Sequence, residues 1–241
     1  MPGIGTAVNA ALIILGSFLG LFLKKAIPER LKRSLVQALS LSTVAIGIIG
    51  VITASCSAAE NGALNSRYTI VMVLSMAAGT ILGELVNIEK RLDNFGARLN
   101  EKFSSPGVNV AEGFVTASLV FCVGSMAIVG SLQDGISHDP SVLITKGLID
   151  GVMSVIFSST LGLGVALSAG AVFVYQGVLT LCAVWISPLL TQTVISQMSF
   201  IGGLLIMGIG LNLLYSPKMR LANMLPAVFL PFVYYLIGRL F

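Results

Sequence analysis

Leu15-Gly-Ser-Phe-Leu-Gly-Leu-Phe-Leu23 and Ala78-Gly-Thr-Ile-Leu-Gly-Glu-Leu-Val86 are two versions of one pattern. Gly16 and Gly20 align with Gly79 and Gly83, Ser17 with Thr80, and Leu19 with Leu82; Arg30-Leu31 follows the first copy and Arg91-Leu92 the second. Residues four apart share one face of a helix, so each glycine pair clears side chains from a single strip. In an apolar helix such a strip lets another backbone come close, either from the same chain or from a second copy. The alternative is a functional one, an exchangeable helix contact or a bare-backbone ion site.

Composition decides the solvent around these helices. Apolar residues make up 56% of the 241 residues and charged residues 10%, with a mean hydropathy of +0.96. A soluble domain carries roughly 25% charge because its surface faces water. This chain is therefore expected to be an all-α, polytopic transmembrane bundle. Its net charge of +4 does not point to nucleic acid, because no aromatic-basic module accompanies the charges. Cys56, Cys122 and Cys182 are odd in number and lack CxxC spacing; they read as small packing residues, and no cofactor or metal is implied.

At ~20 residues per crossing, the apolar runs predict about eight helices, over 4–23, 36–55, 68–86, 111–132, 147–166, 168–187, 196–215 and 221–240. The run from Gly147 to Leu190 has Asp150 as its one charge. As one helix it would be ~65 Å long against a ~30 Å hydrocarbon core, so a break is expected among Gly162, Gly164, Ser168 and Gly170. Basic residues gather in three connections: Lys24, Lys25, Arg30, Lys32 and Arg33; Lys90, Arg91, Arg98 and Lys102; Lys218 and Arg220. Eight spans with an outside N-terminus put all three in the cytoplasm, as the positive-inside rule requires, and put Glu60, Asp134 and Asp139 outside. Positive charge follows the first apolar run instead of preceding it, so that run is not expected to be a cleaved signal.

Two connections have a helical period of their own. Ile88, Leu92, Phe95, Leu99 and Phe103 form one apolar face, with Glu89, Lys90, Arg91, Arg98 and Lys102 opposite, the pattern of a helix lying on a membrane. Ile27, Leu31 and Leu35 suggest a shorter one, with Pro28 suited to its first turn. The glycine pattern extends more weakly to Thr160-Leu-Gly-Leu-Gly-Val165 and to Gly208-Ile-Gly-Leu-Asn-Leu-Leu214. Aligning Gly20, Gly83, Gly162 and Gly210 gives a single domain over 1–241 built from four two-helix units, approximately 4–55, 68–132, 147–187 and 196–240.

Motifs of soluble enzymes are absent: no phosphate loop, no HExxH, no nucleophile elbow and no metal-spaced Cys/His cluster. Enzyme activity is not expected. His138 with Asp134 and Asp139 is a conceivable outer cation site, against the plainer alternative of a solvated loop. Polar residues inside the spans carry more weight, because burying them in hydrocarbon is costly. Asp150, Ser154 and Ser158 recur at i, i+4 and i+8 on one face, with Ser159 and Thr160 beside them. One carboxylate plus hydroxyls suits a cation or a proton relay; the alternative is hydroxyls bonding helix carbonyls. Gln176 follows the expected break, Asn212 lies in the weak repeat, and Asn9 and Asn223 are further polar points. Glu84 and Glu112 sit at span ends, where they reach the interface or pair with a basic loop.

Pro2-Gly-Ile-Gly-Thr-Ala-Val-Asn9, the Gly16–Gly20 string, Ile149-Asp-Gly151 with Ser154, Tyr175-Gln-Gly177, and Gly208 through Pro226 together resemble the YqgA/YdfK-type bacterial inner-membrane proteins. The resemblance spans essentially the whole chain and implies a bacterial cytoplasmic-membrane protein. That family is one of unknown function, so it implies no substrate and no catalytic residue. Two functions are therefore expected. The first is a small transporter or channel-like protein for a small ion or polar metabolite, with Asp150, Ser154, Ser158, Gln176 and Asn212 as its binding residues. The second is a structural or regulatory subunit that packs through Gly16, Gly20, Gly79, Gly83, Gly162 and Gly210 into an oligomer in the lipid bilayer.

Overall fold

The computed structural model describes residues 2–24, 28–56, 66–103, 110–215 and 219–240, and these are helical almost throughout. Lys25, Ile27, Glu60 and Lys218, which belong to the charge and period patterns, lie outside the described residues, as do the side chains of Lys32, Phe95, Leu99, Lys102 and Phe103. The helices are α1 (Ile4–Lys24), α2 (Glu29–Cys56), α3 (Ser66–Val86), α4 (Ile88–Phe103), α5 (Val110–Cys122), α6 (Ser125–Ser137), α7 (Ser141–Leu161) and α8 (Gly164–Leu181). There follow α9 (Ala183–Ile186), α10 (Gln192–Leu214), α11 (Leu221–Met224), a 3-10 segment (Leu225–Phe229) and α12 (Leu230–Leu240).

Among the described residues seven helices are long and apolar enough to cross a membrane, and the pair α5–α6, bent by 61°, makes an eighth if it is one span. The packing of α8 bears on that point. At one end of α8, Gly164 lies against Val110 and Phe114; at the other, Thr180 lies against Gly135. The bent pair thus accompanies α8, one of those seven helices, from end to end. The break falls at Val123-Gly124, where Gly124 has φ +144°, a conformation open to glycine and strained for other residues. The hydropathy pattern predicts an unbroken helix over 111–132 and does not reveal this bend.

Other boundaries differ for identifiable reasons. The Pro28–Leu35 stretch is not a separate surface helix but the first turns of α2, since nothing between Leu35 and Val36 interrupts it. Pro28 precedes the helix, where a missing N–H does no harm. The expected break after α7 is present at Gly162 (φ 79°, ψ −152°). Gly162 is therefore a turn residue, in a region essentially reserved for glycine. Gly162→Ala is expected to cost ~1–3 kcal/mol from backbone strain alone, read as a lower melting temperature of the purified protein in detergent.

The chain divides into two compact units. The first comprises Met1–Leu39, Lys90–Cys122 and Met126–Val184. Within it, α1 runs parallel to α7, as Gly5 meets Leu143, Asn9 meets Gly147 and Gly20 meets Val155. Gly16 and Gly20 face the carbonyl oxygens of Gly151 and Val155 so closely that any Cβ would collide with them. Helix α8 runs antiparallel to α1, pairing Thr6 with Thr180 and Asn9 with Gln176. Ile13, Phe121, Phe157, Val165 and Val172 form the apolar centre, and the Phe121 and Phe157 rings lie 6.1 Å apart.

The second unit comprises Ser40–Glu89, Val123–Ser125 and Trp185–Phe241. Here Gly79 and Gly83 meet the backbone of Ala227 and Asn223, so α3 runs antiparallel to the segment α11–α12. Gly210 accommodates Ser40 and Val44, while Gly47 accommodates Gly203 and Met207, packing α2 and α10 antiparallel. The glycine strips of α1 and α3 thus do one physical job in opposite directions. Their partners lie far along the chain and not in the next helix.

The exposed faces are apolar. On α1 the buried side is Gly5, Asn9, Ile13, Gly16, Ser17 and Gly20, while Leu15, Phe18, Leu19 and Phe22 are exposed, the last by 77%. Small and polar residues inside with large apolar residues outside is how a helix is arranged in lipid. The chain is a multi-pass membrane protein.

Candidate functional site

Polar side chains in the first unit are stacked along the contact of α1, α7 and α8. The stack starts at the head of α1. Asp134, fully buried on α6, accepts hydrogen bonds from the Gly3 and Gly5 amides at 3.1 and 3.2 Å. These amides have no partner inside their own helix, and a carboxylate there also meets the positive end of the helix dipole. Next come Thr6 and Thr180, with hydroxyl oxygens 3.4 Å apart. One turn further, Asn9 Nδ2 donates to Gln176 Oε1 at 3.1 Å, both residues being fully buried.

The ionic centre follows. Lys146 Nζ pairs with Asp150 Oδ2, the side chains 8% and 7% exposed, and the Asn9 amide lies beside the same carboxylate. The pair is possible because i and i+4 side chains meet on a helix face and because Gly147 leaves room for Asn9 to approach α7. An ion pair buried this way persists only with good geometry and added hydrogen bonds.

The amides are only half used. One hydrogen bond between two amides leaves an acceptor on one and a donor on the other, here Asn9 Oδ1 and Gln176 Nε2, which have no partner among the described residues. Interchanging oxygen and nitrogen on both would still leave one donor and one acceptor. The buried Ser17 hydroxyl is likewise without a partner among them.

The structure brings Asp150, Ser154, Ser158 and Gln176 into one unit and places Asn212 in the other. Ser154 Oγ donates to the Asp150 carbonyl at 2.7 Å and Ser158 Oγ to that of Gly162 at 3.4 Å. Ser159 and Thr160 bond backbone carbonyls too. Their hydroxyl protons are thus committed to helix carbonyls. Asn212 closes the end of α10, donating to the Met219 carbonyl and accepting from the Met219 amide at 2.7 and 2.9 Å. Asn223 Oδ1 likewise accepts from the Glu89 amide at 2.7 Å, and Glu84 pairs with Arg220 at 3.3 Å in an exposed position.

Lys146 is a site residue that the hydropathy pattern leaves out. The expected span begins at residue 147, although the i, i+4 spacing to Asp150 is a signal that could have found it. Asp134 is expected in an outer loop because the fourth apolar run ends at 132; α6 continues to Ser137 and buries it. The conceivable His138 cluster is divided accordingly. Asp134 serves α1, whereas Asp139 accepts from the Ser141 amide at 3.0 Å and from Gln133 at 2.7 Å. The Ser141 bonds chiefly hold the Asp139 carboxyl below its usual range. Among the described residues no group of three or more His, Cys, Asp and Glu side chains is placed to hold a metal. The second unit also has an uncharged concavity of about 510 Å³ lined by Thr191, Thr193, Gln197, Pro231, Tyr234 and Tyr235.

Residues 4–236 match the family described as "Protein of unknown function (DUF554)". The chain belongs to that family. The uncharacterized membrane protein YdfK of Bacillus subtilis is 34% identical to it over 227 residues, 94% of this chain and 93% of YdfK. The uncharacterized protein YqgA of Escherichia coli is 29% identical over 232 residues, 94% of each. No solved structure matches the chain.

Proposed function

We propose that this protein is a small transporter or channel-like protein of a bacterial inner membrane, without enzymatic activity, that moves a small ion or polar metabolite through its first unit. The observation that carries this reading is the buried Lys146–Asp150 pair beside the half-used Asn9–Gln176 amides. Ionisable residues inside membrane spans are costly, and they characteristically line solute or proton pathways. The bent α5–α6 span supports it, since broken helices place backbone polar groups at solute sites of transporters. The orientation in this reading has the N-terminus outside and the basic connections in the cytoplasm.

The alternative, a subunit assembled through glycine faces, has less to stand on. Gly16, Gly20, Gly79, Gly83 and Gly210 are filled by backbone or side chains of their own chain. The test is flux in proteoliposomes, using labelled solutes and an internal pH dye. The wild-type chain should move at least one small ion or polar solute above empty vesicles, and Asp150→Asn should lower that rate at least about tenfold. Flux that ignores both Asp150→Asn and Lys146→Met would remove the first unit as the pathway.

A further inference from the structure

We infer that the first unit binds a small zwitterion, a molecule that carries an ammonium and a carboxylate but no net charge. The inference rests on the transport reading of the same site and adds the class of its substrate. Three observations bear on it. Asp150 already has Lys146 as its counter-charge, and both are buried. The amide pair beside them offers one unmet acceptor, Asn9 Oδ1, and one unmet donor, Gln176 Nε2. Asn9 stands next to the Asp150 carboxylate.

Charge balance selects the occupant. The Lys146–Asp150 pair is net neutral, so a bare cation at Asp150 would leave Lys146 as an uncompensated buried charge, and a bare anion at Lys146 would strand Asp150. Either is strongly unfavourable in a low-dielectric site. A zwitterion replaces one neutral pair by two: its ammonium meets Asp150 and its carboxylate meets Lys146. Its remaining hydrogen-bonding capacity also matches what the protein leaves open, because an ammonium donates to an amide oxygen and a carboxylate accepts from an amide N–H. A neutral amide or alcohol would satisfy Asn9 and Gln176 but would leave the ion pair without a function.

The test uses the full chain in lipid nanodiscs, with glycine, alanine, methylammonium, acetate and sodium chloride as probes and the melting temperature as readout. Glycine or alanine should protect at concentrations at least about tenfold lower than either half-molecule, since each half leaves one charge-assisted contact unmade. The double variant Lys146→Met with Asp150→Leu, which keeps the pair's volume without its charges, should lose that protection. Gln176→Leu should weaken it about tenfold. Sodium, methylammonium or acetate binding at least as well as the zwitterions overturns the inference, and flux of that ion would leave the transport reading standing. Zwitterion protection that survives in the double variant also overturns it. If no probe binds and none crosses proteoliposomes, the inference and the transport reading fall together.

Discussion

Leucine in place of Gly83 should destabilise the protein by ~3 kcal/mol or more, near the upper end of overpacking costs. A Cβ at position 83 would land on the Asn223 carbonyl, and the remaining side chain would have to enter the backbone of α11. Flexible neighbours relieve most overpacking by changing rotamer, and here the neighbour is backbone. Asn223 also cannot retreat freely, because its side chain holds the Glu89 amide at 2.7 Å. The matched control is Gly177→Ala. A Cβ there meets nothing within 4 Å among the described residues, and alanine exceeds glycine in helix propensity by ~1 kcal/mol. Melting in detergent should thus fall by about 10 °C for Gly83→Leu and hold or rise for Gly177→Ala. Equal behaviour of the two would mean that the α3–α11 contact is not close-packed.

The second large effect concerns the buried pair. Lys146→Met alone and Asp150→Leu alone should each cost ~3–5 kcal/mol, because either leaves one buried charge without its partner. The double variant should fall within ~1 kcal/mol of wild type, since an apolar pair of similar volume avoids both desolvation penalties. The double-mutant cycle therefore predicts a coupling of several kcal/mol, far above the ~0.3–0.5 kcal/mol of an exposed i, i+4 ion pair. Additive losses in thermal melts would show that Lys146 and Asp150 are solvated independently. A double variant that is stable but transports nothing would separate the pair's contribution to stability from its part in function.

Much of the architecture is legible in the amino-acid sequence. Hydropathy over ~20-residue windows locates the membrane helices, and the spacing of Ile88, Leu92, Phe95, Leu99 and Phe103 with charges opposite predicts α4 over its observed range. That the 147–190 run must break follows from its length, and its small residues Gly162, Gly164, Ser168 and Gly170 mark the place. The bend at Val123-Gly124 is not legible, because one glycine in an apolar run looks like any packing glycine until its φ is known.

The site is half legible. Asp150 and Gln176 stand out as polar residues in apolar surroundings, a property read along the chain. Asn9, 167 residues from Gln176, and Asp134, 131 from Gly3, are joined to a site only by packing. Lys146 precedes the uncharged run that marks the span, yet it belongs to the helix, since α7 begins at Ser141 and not at 147.

By itself, then, the sequence determined that this is a helical membrane protein, where its helices run, and which faces carry glycine. These follow from hydrophobicity and the 3.6-residue period, and both act over neighbouring residues. Which helix fills each glycine strip was decided only by the tertiary structure. Gly16 meets α7 in parallel, and Gly83 meets α11 antiparallel. The same strip can accept any backbone of matching shape, so its partner is set by close packing among segments more than a hundred residues apart. That packing also places Lys146, Asp150, Asn9 and Gln176 against one another, where a neutral ion pair and two unmet hydrogen bonds replace the lone carboxylate that the sequence suggests.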